Sequence, residues 1–461
     1  MLKRLNDSKL FEYIYIIVLA ILTFFCWDYF FLFILGAVVI IGGVAIVLFD
    51  DFKYMIPVGL FFIISNREGY HNNSFPIGIA ICFILFAICF LIFLIRKIKK
   101  KELSFKNIKS WRGLLLLSIS TILPIFWYNI IPQGMEVMYL IYFSYLLYFA
   151  IYFIFALLLN KNSFETLRIS IIIMAIVIVF EEMVELYTLK VNYPNLDLKT
   201  VTFYSLGWGC SNEAGILFLM AMPFCFISFI KNSDWKHYII TMLVILFIGV
   251  GVLLTLSRGT YLFGFIELAA LCIYGFIRAK NRLFYSILIA FSAMLFLLTI
   301  QAAFGIGNYF INIVMNGVFL DRLGDNNRFE LWRNAYSFYS FDFVRMTFGT
   351  GFIAELSNSF TRTGVQLSQI VYHSTLFEMM VVGGNLGIAF LMIHFIDKYK
   401  GLKNVDKSLI AIILIGYFFV DLYGFIDNTY GMYYYMIVLV IIMASIDSLG
   451  DKNGKSGISR N

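Results

Sequence analysis

Charge is scarce in this chain. Of its 461 residues only 14% are Asp, Glu, Lys or Arg, against 61% apolar, and the mean hydropathy is +0.87. A water-soluble fold of this length cannot hide so much apolar surface, so the composition excludes a soluble enzyme and predicts a polytopic membrane protein. Cysteine pairing is missing as well. Of Cys26, Cys82, Cys89, Cys210, Cys225 and Cys272, five lie in apolar runs and none forms a CxxC pair, which argues against a disulfide framework or a metal cluster. No small-residue cleavage site follows the opening segment, so the first apolar run reads as a retained helix rather than a signal peptide. No internal repeat, low-complexity linker or second soluble domain interrupts the pattern, and residues 1–461 read as one membrane domain.

Apolar windows fall near 10–27, 29–49, 53–66, 76–95, 113–131, 136–159, 169–188, 214–230, 239–256, 260–277, 283–304, 373–396, 409–426 and 430–446, which predicts an all-α bundle of about fourteen transmembrane helices. Strong basic clusters follow the even-numbered windows: Arg96 to Lys101, Lys161 to Arg168, Lys231 to Lys236, Arg278 to Arg282 and Lys398 to Lys407. By the positive-inside rule these loops and both termini are cytoplasmic. The pI of about 8.9 is therefore a topology signal and implies no nucleic-acid partner. Three external loops result, at 66–75, 189–213 and 305–372, the last being the largest. None contains an Asp-x-Asp pair, so no metal-bound nucleotide-sugar site is expected.

The large loop has no lysine and five arginines, Arg322, Arg328, Arg333, Arg345 and Arg362, beside the acids Asp321, Asp325, Glu330, Asp342 and Glu355. Guanidinium grips phosphate oxygens as a bidentate fork, whereas ammonium is a compact, strongly hydrated charge. Arg328, Trp332 and Ala335, at steps of four and three, share one helical face. Two motifs flank the loop: Thr255-Leu-Ser-Arg258-Gly259 on one side, and on the other His373-Ser374, nine residues, then Gly384-Asn-Leu-Gly387. Ionisable groups at the ends of apolar helices are costly there and mark a site.

Other polar groups leave alternatives open. Glu181 and Glu185, one turn apart near Glu182, suit ion pairing inside the bundle or an accessory role at the site. Asn212 and Glu213 read as a helix cap or a substrate contact, and Asp421 and Asp427 are equally ambiguous. His71, His237 and His394 carry no partner pattern. Gly383, Gly384 and Gly387 permit close packing, either of a lipid groove or simply of helices.

Arg258 in its Ser-Arg-Gly context, the Arg-x-x-x-Trp helix, Gly349-Thr-Gly351 and the His373-to-Gly387 spacing together resemble the O-antigen ligase and O-antigen polymerase superfamily, over residues 205–395 by motif. Arg333 and Gly349 meet the Arg-x15-Gly pattern of polymerases; the His-to-Gly spacing is of ligase type, with Ser374 where Asn is common. The resemblance implies a GT-C-like membrane glycosyltransferase that moves a glycan from undecaprenyl diphosphate to a sugar hydroxyl outside the inner membrane, with inversion and without nucleotide sugar, metal or other cofactor. It further implies membrane lipid and possible polysaccharide-assembly proteins as partners. On this reading Arg258, with Arg328 or Arg333, meets the leaving diphosphate, and His373 positions or deprotonates the acceptor. Repeat-unit polymerisation for a capsular, surface or O-antigen polysaccharide is the favoured activity. The alternatives are a ligase and, in a different class, a lipid-linked oligosaccharide flippase.

Overall fold

The computed structural model describes residues 8–24, 31–64, 77–103, 105, 108–126, 143–194, 211–232, 234–255, 257–304, 328–351 and 372–450. The helices are α1 (Lys9–Phe24), α2 (Phe31–Phe49), α3 (Met55–Ile64), α4 (Ile77–Lys99), α5 (Trp111–Ile122), α6 (Ser144–Leu158), α7 (Ser163–Asn192) and α8 (Ser211–Lys231). They continue as α9 (Trp235–Leu254), α10 (Arg258–Arg278), α11 (Arg282–Phe304), α12 (Arg328–Tyr339), α13 (Phe343–Phe348), α14 (Thr375–Gly401), α15 (Lys407–Ile426) and α16 (Tyr433–Ser448). No strand occurs among the described residues. Each of the fourteen apolar windows holds a helix; six helices are long and apolar enough to cross a membrane, by length and composition. The external loops at 66–75 and most of 189–213, and the loop residues 305–327 and 352–371 with Arg322 and Arg362, lie outside the described residues.

Helix starts follow local chemistry. Asp234, Asp406 and Ser257 sit in extended or non-helical geometry and accept from the backbone N–H of Lys236, Ser408 and Thr260, satisfying donors that the first turn cannot. The caps stop and start the chain between apolar runs, and the runs pack as a bundle around α8, which is 89% buried in its apolar window.

The basic helix ends meet on one face. Lys280 Nζ donates to the carbonyl of Lys231 (3.0 Å), the Tyr274 hydroxyl to the carbonyl of Ser408 (3.2 Å) and Lys109 Nζ to Asn404 (3.0 Å). Asn160 joins the same face through Asp51 (3.2 Å) and Ser448 (3.2 Å). Asp447 accepts there from Tyr152 (2.7 Å) and from the backbone N–H of Ser110 (2.9 Å), tying α16 to the start of α5 and to α6. The grouping of basic clusters inferred from sequence is thus a physical clustering of helix ends.

Among the described residues two ion pairs are buried in the bundle. Lys53 bonds Glu12 (3.1 Å), which also accepts from Thr166. Lys398 bonds Asp421 at 2.5 Å, beside the Tyr399 hydroxyl at 2.6 Å from the same carboxylate. Asp421 therefore links α14 to α15, and its ambiguity is resolved as ion pairing. A buried charge without such a partner is strongly destabilising.

Candidate functional site

On the opposite face four chain segments converge, and a turn at Asp427 joins them. Asp427 follows the last residue of α15, and its side chain is 3% exposed. Its Oδ1 accepts from the backbone N–H of Asn428 at 2.8 Å and lies 3.3 Å from His373 Nδ1. Its Oδ2 accepts from the Asn212 amide on α8. The Asn212 carbonyl oxygen in turn accepts from Ser257 Oγ, which is 3.1 Å from the Tyr423 hydroxyl. Ser257 caps α10, so the residue that begins this helix, Arg258, is set beside the network. A buried carboxylate needs donors of this kind to repay its lost hydration.

His373 stands at the other end of the network with its side chain 39% exposed. Its φ of +48° is left-handed, a conformation costly for a residue with a Cβ. The surrounding bonds hold it there: the N–H of Thr375 donates to the carbonyl of Asp427 (3.2 Å), fixing the chain on both sides of the imidazole. With Nδ1–H directed at Asp427, Nε2 carries the lone pair.

The cap helix α12 adds a cation to this end. Arg328 donates to the carbonyl of Ile426 at 2.5 Å, next to Asp427. Trp332 donates to the carbonyl of Tyr372 (2.9 Å) and stacks on Phe377 with ring centroids 5.3 Å apart, and Ala335 is fully buried. The face drawn from sequence through Arg328, Trp332 and Ala335 is the docked face. Arg333 lies opposite; its side chain is 75% exposed and 4.0 Å from Glu330, so the structure brings Arg328 but not Arg333 to the network.

The glycine motifs account for how the cap is seated. Gly384 has φ +61° and ψ −153°, a break inside α14 that only glycine adopts at low cost. The backbone of residues 347–349 lies against it: a Cβ at Gly384 would come within 2.6 Å of the Gly349 nitrogen, and one at Gly349 within 2.3 Å of the Val382 carbonyl oxygen. The N–H of Thr350 donates to the carbonyl of Val381 at 2.9 Å, closing the joint. Gly383 faces Ser120. These glycines serve helix and cap packing. Gly384→Ala should lower stability by roughly 2 kcal/mol or more. Gly383→Ala, whose Cβ meets only Ser120 Oγ at 3.2 Å, should cost less. Thermal midpoints in detergent would check the order.

The other candidates read from the sequence lie on α7, α8, α9 and α14. Glu181 and Glu182 are buried on α7 and Glu185 is half-buried one turn on; one oxygen of Glu182 has no hydrogen-bond partner. Glu213 is half-buried in the first turn of α8, where the helix dipole favours an acid. Asn212 bridges Asp427 to Ser257. His237 pairs with Asp234 at 3.2 Å and His394 is buried edge-on against Tyr430. Among the described residues no group of three or more His, Cys, Asp or Glu is arranged to hold a metal.

Chemically, the cluster offers an arginine at a helix start, a second arginine from the cap, and an imidazole facing a carboxylate. Residues 241–392 match a family model described as O-antigen ligase. This match covers about a third of the chain and makes that segment similar to the O-antigen ligase family. No curated protein and no solved structure matches. The matched segment holds Arg258, Arg328, Arg333 and His373, while Asn212 and Asp427 lie outside it on either side. The match supports a membrane glycan transferase of the O-antigen ligase and polymerase type.

Proposed function

We propose that this protein, similar to the O-antigen ligase family over residues 241–392, polymerises lipid-linked oligosaccharide repeat units on the outer side of the inner membrane, with both termini cytoplasmic and fourteen spans. The observation that carries the reading is the convergence of Arg258, Arg328 and a carboxylate-oriented His373 at the face opposite the basic helix ends. In the reaction the acceptor hydroxyl oxygen attacks the anomeric carbon, its proton passes to His373 Nε2, and the bond to the undecaprenyl diphosphate breaks. The electron pair leaves with the diphosphate, and Arg258 and Arg328 stabilise the charge that develops there. Asp427 is a positioning residue: it holds the imidazole tautomer and steadies the cation formed on proton transfer.

The decisive experiment supplies the purified, reconstituted protein with one lipid-linked repeat unit as both donor and acceptor. A ladder of products longer than one unit, with release of lipid diphosphate, supports the polymerase. Transfer only onto a lipid A core acceptor would make it a ligase, a reading favoured by the ligase-type spacing from His373 to Gly387. Movement of unaltered oligosaccharide across the bilayer would make it a flippase.

Topology can be checked separately. Tyr336 on the cap and Lys403 on the basic face are both exposed. An impermeant thiol reagent added to intact cells should label Tyr336→Cys and miss Lys403→Cys. The reverse pattern would place the site in the cytoplasm and remove this reading.

A further inference from the structure

One turn into α14, a second carboxylate is buried close to the His373–Asp427 pair. Glu378 follows the cap position Ser374 by four residues, and side chains on a helix lean toward its N-terminus, so the group reaches back toward His373. Its carboxylate accepts from the backbone N–H of Tyr372 and is hydrogen-bonded to the side chain of Asn428. Ser374 itself makes no side-chain capping bond. The two partners of Glu378 are the chain neighbours of the pair: Tyr372 precedes His373, and Asn428 follows Asp427.

Each partner is held a second time. The Tyr372 carbonyl accepts from Trp332 Nε1 at 2.9 Å, so the residue before His373 is gripped by the cap helix through one group and by Glu378 through the other. The Asn428 backbone N–H donates to Asp427 Oδ1 at 2.8 Å, and its side-chain oxygen accepts from the N–H of Gly431 at 2.9 Å. A left-handed residue with a Cβ persists only where its surroundings over-determine it. Glu378 supplies part of that constraint on the N-terminal side of His373. Its Oε2 is buried without a hydrogen-bond partner, a cost that a residue chosen for packing alone would avoid by being apolar. At 5% exposure Glu378 is shut off from substrate, so its influence on the reaction runs through the residues it fastens.

We propose that Glu378 is a positioning residue of the transfer reaction. It ties the peptide before His373 to the turn that carries Asp427, and so sets the imidazole against its carboxylate. The proposal rests on the glycan-transfer reading for the reaction; the tie itself joins two segments more than fifty residues apart in sequence, whatever the reaction is.

The test uses the full-length reconstituted protein with Glu378→Leu, which fills the space without the bonds, and Glu378→Gln, which keeps an acceptor and a donor. Glu378→Leu should lower kcat about tenfold or more, as misplacing a catalytic group does, with donor KM close to wild type. Glu378→Gln should restore most of the loss. Carbethoxylation by diethyl pyrocarbonate, located by mass spectrometry, reads the imidazole without any transfer. His373 should react severalfold faster in Glu378→Leu than in the wild type or Glu378→Gln, because Nδ1 is released from Asp427. Exposed His237 should keep its rate and buried His394 should stay unreactive in all three. Wild-type kcat or an unchanged His373 rate in Glu378→Leu would overturn the proposal. An equal loss in Glu378→Gln would also overturn it, by making the charge rather than the bonds the active feature, as would a reactive His394, which would mean general loosening. Should Glu378→Leu fail to insert, Asn428→Ala removes the far anchor of the same tie and must show the faster His373; a wild-type rate there would overturn the proposal. Absence of transfer by the wild-type protein would refute the glycan-transfer reading, and the His373 rates would still decide whether Glu378 holds the imidazole.

Discussion

His373→Ala should lower turnover by roughly 100-fold or more, the usual contribution of a positioned general base, while the protein still folds and binds its donor. The expectation rests on a half-exposed imidazole whose Nδ1 is 3.3 Å from a carboxylate that is itself 3% exposed. His373→Gln retains a hydrogen-bonding group without the basicity, so its activity separates positioning from proton transfer. Asp427→Asn tests the other half of the pair. It removes the charge that would stabilise the imidazolium and turns an amide toward Asn212, which already donates to this position. Its kcat should fall by a factor comparable to His373→Ala, with donor KM little altered. Because the two residues act as a unit, the double variant should be hardly worse than either single one. Multiplicative losses would mean that Asp427 acts on something other than His373. Near-normal turnover in His373→Ala and His373→Gln would leave the imidazole a packing role and send the search for a base to Glu181, Glu185 and Glu213.

Arg258→Lys should lose most product while the protein inserts normally. Arg258 is half-buried at the first position of α10, immediately after the Ser257 cap, so its side chain and the positive end of the helix dipole act on the same region. Lysine keeps the charge but cannot form the two parallel bonds of a guanidinium on a diphosphate. Loss of a donor that acts on developing negative charge typically costs about 10²–10³ in turnover. The same substitution at Arg333, exposed and 4.0 Å from Glu330, should have little effect. Arg328→Lys should fall between them, since Arg328 reaches the carbonyl of Ile426 beside Asp427. Chain length and yield of polymer from membranes of each variant would rank the three. Wild-type yield from Arg258→Lys would remove this arginine from the site.

Much of the architecture was legible without coordinates because it depends on local quantities. Each apolar window contains a helix, since a run near 20 residues long has one economical way to satisfy its backbone in lipid. The basic clusters do meet at one face, because charge sits at helix ends that lipid excludes. The periodicity of Arg328, Trp332 and Ala335 identified a helical face correctly, but which face turns inward depends on what it docks against. That choice separated Arg328 from Arg333. Spacing likewise could not distinguish Asp421 from Asp427, two acids six residues apart on one helix end. Lys398 takes up the first, while His373 and Asn212 surround the second. The glycines of α14 were correctly marked as a place of close approach, but their partner, the backbone at Gly349, came from the other side of the cap.

Composition and hydropathy by themselves determined that this is a helical membrane protein and which of its ends carry basic charge; the motifs at Arg258 and His373, with the resemblance they carry, made those two residues candidates for one site. The tertiary structure decided that these two residues belong to one face with Asn212, Asp427 and Arg328. The physical reason is range: burial and helix periodicity are set over a few turns of chain. The network joining positions 212, 257, 373 and 427 exists only because α8, α10, α14 and α15 end at the same height in the bundle.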